Sequence, residues 1–145
     1  MKIIRVRSME ELNQCFIIRK EVFVEEQGVP ADIEIDEYDI TPDACAHTLV
    51  LSEGKPVGTG RWRAYNEDTA KLQRLAVLKS NRGSGLGKSL IQALEKQASD
   101  AGYLFCILDG QCQAEAFYHK LGYVTISEQP FEEAGIMHVR MQKTL

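Results

Sequence analysis

The apolar positions divide this chain into elements before composition is considered. Ile3 to Arg7 alternates enough for a strand. Ser8-Met9-Glu10-Glu11 follows, with Ser8 and Glu11 at the spacing of a capping box. The helix it opens carries Leu12, Cys15, Phe16, Arg19 and Phe23 at helical spacing, runs to about Val24 and is ended by Gly28-Val29-Pro30. Asp32 to Asp43 holds six carboxylates and shows no clear period. A hairpin comes next, Ala46 to Ser52, a Glu53-Gly54-Lys55 turn, and Pro56 to Tyr65. Asn66-Glu67-Asp68 turns the chain into a further strand, Ala70 to Leu78. The first half therefore predicts antiparallel strands after a helix.

The second half changes character. A glycine-rich loop leads into a helix whose Leu86, Leu90, Leu94 and Ala98 form one stripe, stopped by Gly102. Tyr103 to Leu108 is nearly continuously apolar, as a strand buried on both faces would be. Ala114, Phe117, Tyr118 and Leu121 fall at i, i+3, i+4 and i+7 of a short helix closed by Gly122. Tyr123 to Ser127 and Ile136 to Gln142 predict a strand pair around a Pro130 loop. No repeat or linker divides the chain, so residues 1–145 are expected to form one domain. Its class is mixed α/β (α+β), a central, mostly antiparallel twisted sheet flanked by helices.

Composition narrows the partners. A chain of 145 residues suits one well-developed core. Seventeen basic against 21 acidic side chains give a net charge of −4, so no general affinity for nucleic acid is expected. Any anionic ligand must be held by local geometry. No apolar signal-peptide core and no stretch of transmembrane length is present, so no membrane partner and a cytoplasmic location are expected. Cys15, Cys45, Cys106 and Cys112 are scattered and match no zinc spacing. They read as buried reduced thiols, and no metal is expected.

Three glycines at the mouth of a helix ask for a reason, since each costs about 0.5–1 kcal/mol relative to alanine inside it. Arg82-Gly83-Ser84-Gly85-Leu86-Gly87 lacks side-chain bulk where a ligand could approach the backbone. The first-turn N–H groups there have no intrahelical acceptor, and the macrodipole adds positive potential. Arg82 and Lys88 bracket the run with full charges. A plain flexible connector is the alternative. Two nucleotide motifs fail at named positions: a P-loop needs glycine at 82, where Arg82 stands, and the dinucleotide fingerprint needs glycine at 88, where Lys88 stands.

The run does match Arg/Gln-x-x-Gly-x-Gly/Ala, and here the chain resembles the GNAT superfamily of N-acetyltransferases. Leu72-Gln73-Arg74-Leu75-Ala76-Val77 is similar to that family's preceding strand. Ala114-Glu115-Ala116-Phe117-Tyr118-His119-Lys120-Leu121-Gly122-Tyr123 is similar to its late Ala-x-x-Phe-Tyr-x-Lys-Leu-Gly-Phe/Tyr segment. Two motifs in the right order are more specific than either alone. The N-terminal half resembles a bacterial subgroup with a Val-Phe-Val-x-Glu-Gln start. It is also similar to the substrate half of acyl-homoserine-lactone synthases, which lack a good glycine loop.

The resemblance implies acetyl-CoA as co-substrate, with its phosphates at Arg82, Gly83, Ser84, Gly85, Leu86, Gly87 and Lys88. It implies a splayed strand pair where backbone groups of Leu75, Ala76 and Val77 meet the pantetheine. Gln111 stands where the family often has asparagine, and Phe117 would sit against the cofactor. Acetyl transfer needs a deprotonated amine, stabilisation of an oxyanion and a proton for the departing thiolate. Tyr118 occupies the place of the family's general acid, though its spacing alone reads as core. The oxyanion donor would be a backbone N–H near Val77.

The acceptor side is more open. Glu26, Asp36, Asp39 and His47 are general-base candidates, each of which singly reads more commonly as a solvated carboxylate or a structural histidine. Arg61 and Arg63 share one strand face and suit either an acidic acceptor or solvent. The expected function is direct acetyl transfer from acetyl-CoA to a primary amine of a small molecule or peptide. A non-catalytic acyl-CoA-binding regulatory module is the alternative, and a nucleotide-binding protein ranks third. Exposed strand edges make a homodimer reasonable.

Overall fold

A computed structural model describes residues 1–145. Ser8 caps the first helix, its hydroxyl accepting from the Glu11 N–H at 3.2 Å. The reciprocal bond lands one residue earlier than a capping box requires, since Glu11 Oε1 accepts from the Arg7 N–H. Helix α1 (Met9–Arg19) buries Leu12, Cys15, Ile18 and Arg19. It does not stop there: Lys20–Glu26 continue it as a π-helical extension, which Gly28, at φ +77°, ends. The wider turn advances the buried stripe to Val22, leaving Phe23 half-exposed.

The strands are β1 (Lys2–Arg5), β2 (Ala46–Ser52), β3 (Lys55–Ala64), β4 (Thr69–Val77), β5 (Phe105–Gln111), β6 (Val124–Thr125), β7 (Phe131–Glu133) and β8 (Ile136–Thr144). They form one sheet in the order β1-β2-β3-β4-β5-β8-β6, with β7 paired to β8. Every contact is antiparallel except β4 to β5, which is parallel. The expected pair around Pro130 is present, because Val124 and Thr125 oppose Gln142 and Met141. The β7–β8 hairpin, turning at Ala134 and Gly135, is an addition to the expected elements.

Helices cover both faces. Helix α3 (Leu86–Asp100) lays Leu86, Leu90, Ile91, Leu94 and Ala98 on one face, against Val50, Trp62, Leu72 and Leu108. The stripe read from the sequence is the buried one. Each such leucine contributes about 1.5–3 kcal/mol by leaving water. Helix α4 (Glu115–Lys120) lies on the same side. The opposite face carries α1, packed on Val6, Leu49 and Ala76. Short helix α2 (Ala31–Glu34) and a 3₁₀ turn at Glu37–Asp39 give the acidic segment its structure. Cys15, Cys45 and Cys106 are buried free thiols and Cys112 is half-buried. Burial pushes the first three up, Cys106 to about 12. No helix is long and apolar enough to cross a membrane.

Candidate active site

The parallel contact holds only from Thr69↔Phe105 to Leu72↔Leu108. Beyond it β4 runs on to Val77 and β5 to Gln111 without pairing, so the sheet opens in its middle. A bulge helps it open: the β3–β4 register slips between Thr59↔Ala76 and Arg61↔Gln73, and Arg74 takes φ +56°. That conformation is strained for a side chain other than glycine and gathers at functional sites. Salt bridges from Arg74 to Glu34 and Asp36 help hold it.

Into this opening sinks a cavity of about 400 Å³. Val22, Phe23, Gln27, Val29 and Ile33 roof it; β4 from Lys71 to Val77 forms one wall. Leu108, Asp109 and Gln111 of β5, Tyr118 of α4, and Glu133, Ile136 and His138 of the β7–β8 hairpin form the other. Along β4 the backbone faces inward at the right place. The Leu78 N–H donates to Val57 O across the β3 side. Strand alternation therefore turns the Val77 N–H and C=O to the open edge, where Arg82 Nε donates to Val77 O at 2.9 Å. An open strand edge of this kind accepts an extended amide chain.

At the mouth, Gly83 and Gly85 both take φ +84°, the left-handed region. Gly85 is the N-cap of α3, and its carbonyl accepts from the Ser89 N–H. The N–H groups of Leu86, Gly87 and Lys88 are thus left facing outward, a set of donors that fits a phosphate. The Leu86 side chain, by contrast, is core, so only its backbone belongs to the site. Lys88 is exposed, and the Phe117 ring lies 3.5 Å from where a Gly87 Cβ would stand.

Tyr118 comes from α4 to the cavity wall. Its ring lies against Gly110, where a Cβ would approach to 3.0 Å. Burial alone pushes its hydroxyl up to about 12, so the phenol keeps its proton across the physiological range. Gln111 is bonded across the mouth, its Nε2 donating to Gln27 Oε1 at 2.8 Å.

Two expected base candidates lie elsewhere. Glu26 takes both Arg82 nitrogens at 2.7 and 2.8 Å, and that pairing holds its carboxyl below the usual range. It stands at the phosphate end, outside the cavity lining. His47 is buried on β2, two strands from β4, with its Nε2–H donating to Tyr38 O at 2.9 Å. It does not line the cavity either.

Asp36 and Asp39 belong with Glu34, Arg19 and Arg61 to a buried ionic cluster. Arg19 binds Glu34 at 2.6 Å and Asp39 at 2.8 Å; Arg61 binds Asp36 at 2.6 Å and Asp39 at 2.9 Å. Arg61 therefore faces neither solvent nor an acceptor, and Arg63 lies over the Tyr38 ring. The cluster pins the acidic segment beside the cavity, and Glu34 and Arg74 reach its wall. Sequence reasoning missed His138 and Glu133. The polar alternation His138, Arg140, Gln142 against Val139, Met141 was the available signal, because it puts His138 on the polar face, opposite the core.

Comparison with known proteins agrees with this fold. The profile of the acetyltransferase (GNAT) domain family matches residues 21–145. YjcF of Bacillus subtilis, named an uncharacterized N-acetyltransferase, is 46% identical over 143 residues, 99% of each chain. A crystal structure from Lactobacillus plantarum that carries an N-acetyltransferase name superposes with a TM-score of 0.90 at 32% identity, covering 99% of this chain and 97% of that one. An aminoglycoside 6′-N-acetyltransferase crystallised with coenzyme A shares the fold at a TM-score of 0.76 and 16% identity, covering 99% and 97%.

Proposed function

The chain belongs to the GNAT family of acetyltransferases, and from that premise we propose that it moves an acetyl group from acetyl-CoA directly to a primary amine of a small molecule or peptide. The observation that carries this reading is the open β4 edge at Val77 running straight to the glycine loop at the start of α3. Bound acetyl-CoA supplies the activated thioester. The first-turn N–H groups of α3 and the Arg82 guanidinium take its phosphates, with Lys88 adding charge nearby. Arg82 must exchange its bonds to Glu26 and to Val77 O for this, which the exposed setting of the Arg82 and Glu26 side chains allows.

The Val77 N–H and C=O pair with the pantetheine amides, so the donor lies in the gap as an added strand. Inward amides of β4 polarise the acyl carbonyl. Tyr118 gives its proton to the departing sulfur. Burial keeps the Tyr118 phenol protonated, so it has a proton to give and does not serve as a base. The apolar roof of Val22, Phe23, Val29 and Ile33 excludes water from the thioester.

CoA release is the test, followed with a thiol reagent over a panel of primary amines. Tyr118→Phe is expected to lower kcat by about 10²-fold or more while CoA affinity stays within about twofold. Acetyl-CoA binding without acetylation of any amine would instead support the regulatory-module alternative.

A further inference from the structure

Direct transfer at neutral pH needs a group to take a proton from the acceptor ammonium, and neither Glu26 nor His47 reaches the cavity. We infer that His138 is that general base, an assignment that rests on the acetyl-transfer reading above. Its ring is held in one tautomer. Nδ1 lies 2.7 Å from Ile136 O, and a carbonyl oxygen only accepts, so Nδ1 carries the proton. The lone pair is then on Nε2, which has no protein partner, on a side chain that lines the cavity. The orientation is fixed from two sides. Phe131, its cross-strand partner on β7, stacks on the ring at 6.1 Å and 22°. Gln111, its partner on β5, is tied to Gln27 of the α1 extension.

The two faces of the sheet separate the two proton transfers. Cross-strand partners share a face, and successive residues alternate. Gly110, with Val139 opposite, faces Tyr118 and the α3–α4 side. Gln111, with His138 opposite, faces the α1 side. Acid and base therefore flank the gap between β4 and β5 from opposite sides. The thiolate leaves on one side and the amine arrives on the other.

The remaining charged groups near His138 are accounted for. Asp109 of β5 is clamped by Lys71 at 3.2 Å and Arg140 at 2.8 Å. Burial favours its neutral form, but the Arg140 bond and both cations hold it below the usual range. Glu133 of β7 lines the rim, Arg74 and Glu34 face each other on β4 and α2, and Arg82 lies at the phosphate end. Among these, His138 is the group whose ring presents an unpartnered nitrogen lone pair on a cavity-lining side chain, as a base working there requires.

The balance closes with two protons leaving nitrogen. His138 Nε2 takes the first from the ammonium and releases it to solvent. The neutral amine forms the N–C bond, the C–S bond breaks, and Tyr118 protonates the sulfur. The second nitrogen proton replaces the one Tyr118 gave. One proton is released per turnover.

Two measurements test the assignment. The chain has three histidines, so a two-bond ¹H–¹⁵N correlation spectrum identifies His138 by its loss in His138→Gln. A bare Nε2 and a protonated Nδ1 are expected; a protonated Nε2 in the neutral ring overturns the proposal. Kinetics then compare ethylamine, charged at pH 7, with 2,2,2-trifluoroethylamine, largely neutral there. His138→Gln is expected to lower kcat/KM for ethylamine by about 10²-fold or more and for the fluorinated amine by less than about threefold. Equal losses, or no loss, overturn it while leaving acetyl transfer intact. If the unsubstituted protein binds acetyl-CoA but acetylates neither these amines nor any other of the panel, the transfer reading itself falls, and the base with it.

Discussion

At the scale of single residues, the ionic cluster around Arg19 decides most. Arg19 and Arg61 are each 1% exposed, in positions where a buried charge is tolerable only when paired. Without Arg19, Asp39 keeps only Arg61 and Glu34 only Arg74, three carboxylates with Asp36 against two arginines, so Arg19→Met is expected to destabilise by about 3–5 kcal/mol. Acid should act in two steps on this cluster and on His47, whose Nε2 lies 3.8 Å from Asp39 Oδ1. His47 is depressed by burial below its ordinary 6.5, so the stability it carries is complete above that value and declines below it. Burial alone would raise Asp39, yet the bonds and charge of Arg19 hold it well under its ordinary 3.8. Its contribution is lost only as pH falls below about 4. Urea midpoints measured from pH 7 to 3 should show a shallow then a steep decline, the steep one blunted in Arg19→Met. Each charged residue was visible in the sequence, but their meeting was not. Arg61 and Asp36 lie 25 positions apart, and nothing local announces the pair.

At the scale of elements, glycine carries the site. Gly85→Ala puts a side chain at φ +84°, where a left-handed residue costs about 1–2 kcal/mol, and should weaken CoA binding by disturbing the donors of α3. Gly110→Ala meets a different obstacle. Its new Cβ would lie 3.0 Å from the Tyr118 ring, so kcat should drop about tenfold with little change in CoA affinity. Stopped-flow turnover beside equilibrium CoA binding separates the two substitutions. Long periodic elements were legible: α3 and the β2–β3 hairpin fall where the pattern put them. Short ones were not. β7 is three residues, Phe-Glu-Glu, too brief for any period, and the π-helical extension changes the period that defines α1.

For the whole molecule, the parallel β4–β5 contact organises function. The reading of one mixed α/β unit holds, and a helical crossover between buried strands makes such a contact accessible to sequence reasoning. The splay was available only through family likeness, because where pairing stops is a tertiary property. If the donor seats in the gap, acetyl-CoA at 100 times its dissociation constant should stabilise the fold by about 2.7 kcal/mol. That corresponds to a rise in Tm on the order of 10 °C for a chain of this size, with NAD giving none. A thermal-shift series over acetyl-CoA, CoA, ATP and NAD checks it, and no shift with either CoA species sinks the central claim.

The opening in the sheet also reaches beyond catalysis. Four residue pairs at one end are all that join β4 to β5 directly, so the molecule is built like a book with a short binding. An extended donor laid along the open pages, bonded through its own amides to β4, finishes that binding with material the gene does not encode. Enzyme with donor aboard would be firmer along this seam than enzyme waiting for it, and local opening would concentrate there when donor is scarce. Supply of the substrate then sets how much catalyst survives, as well as how fast it works.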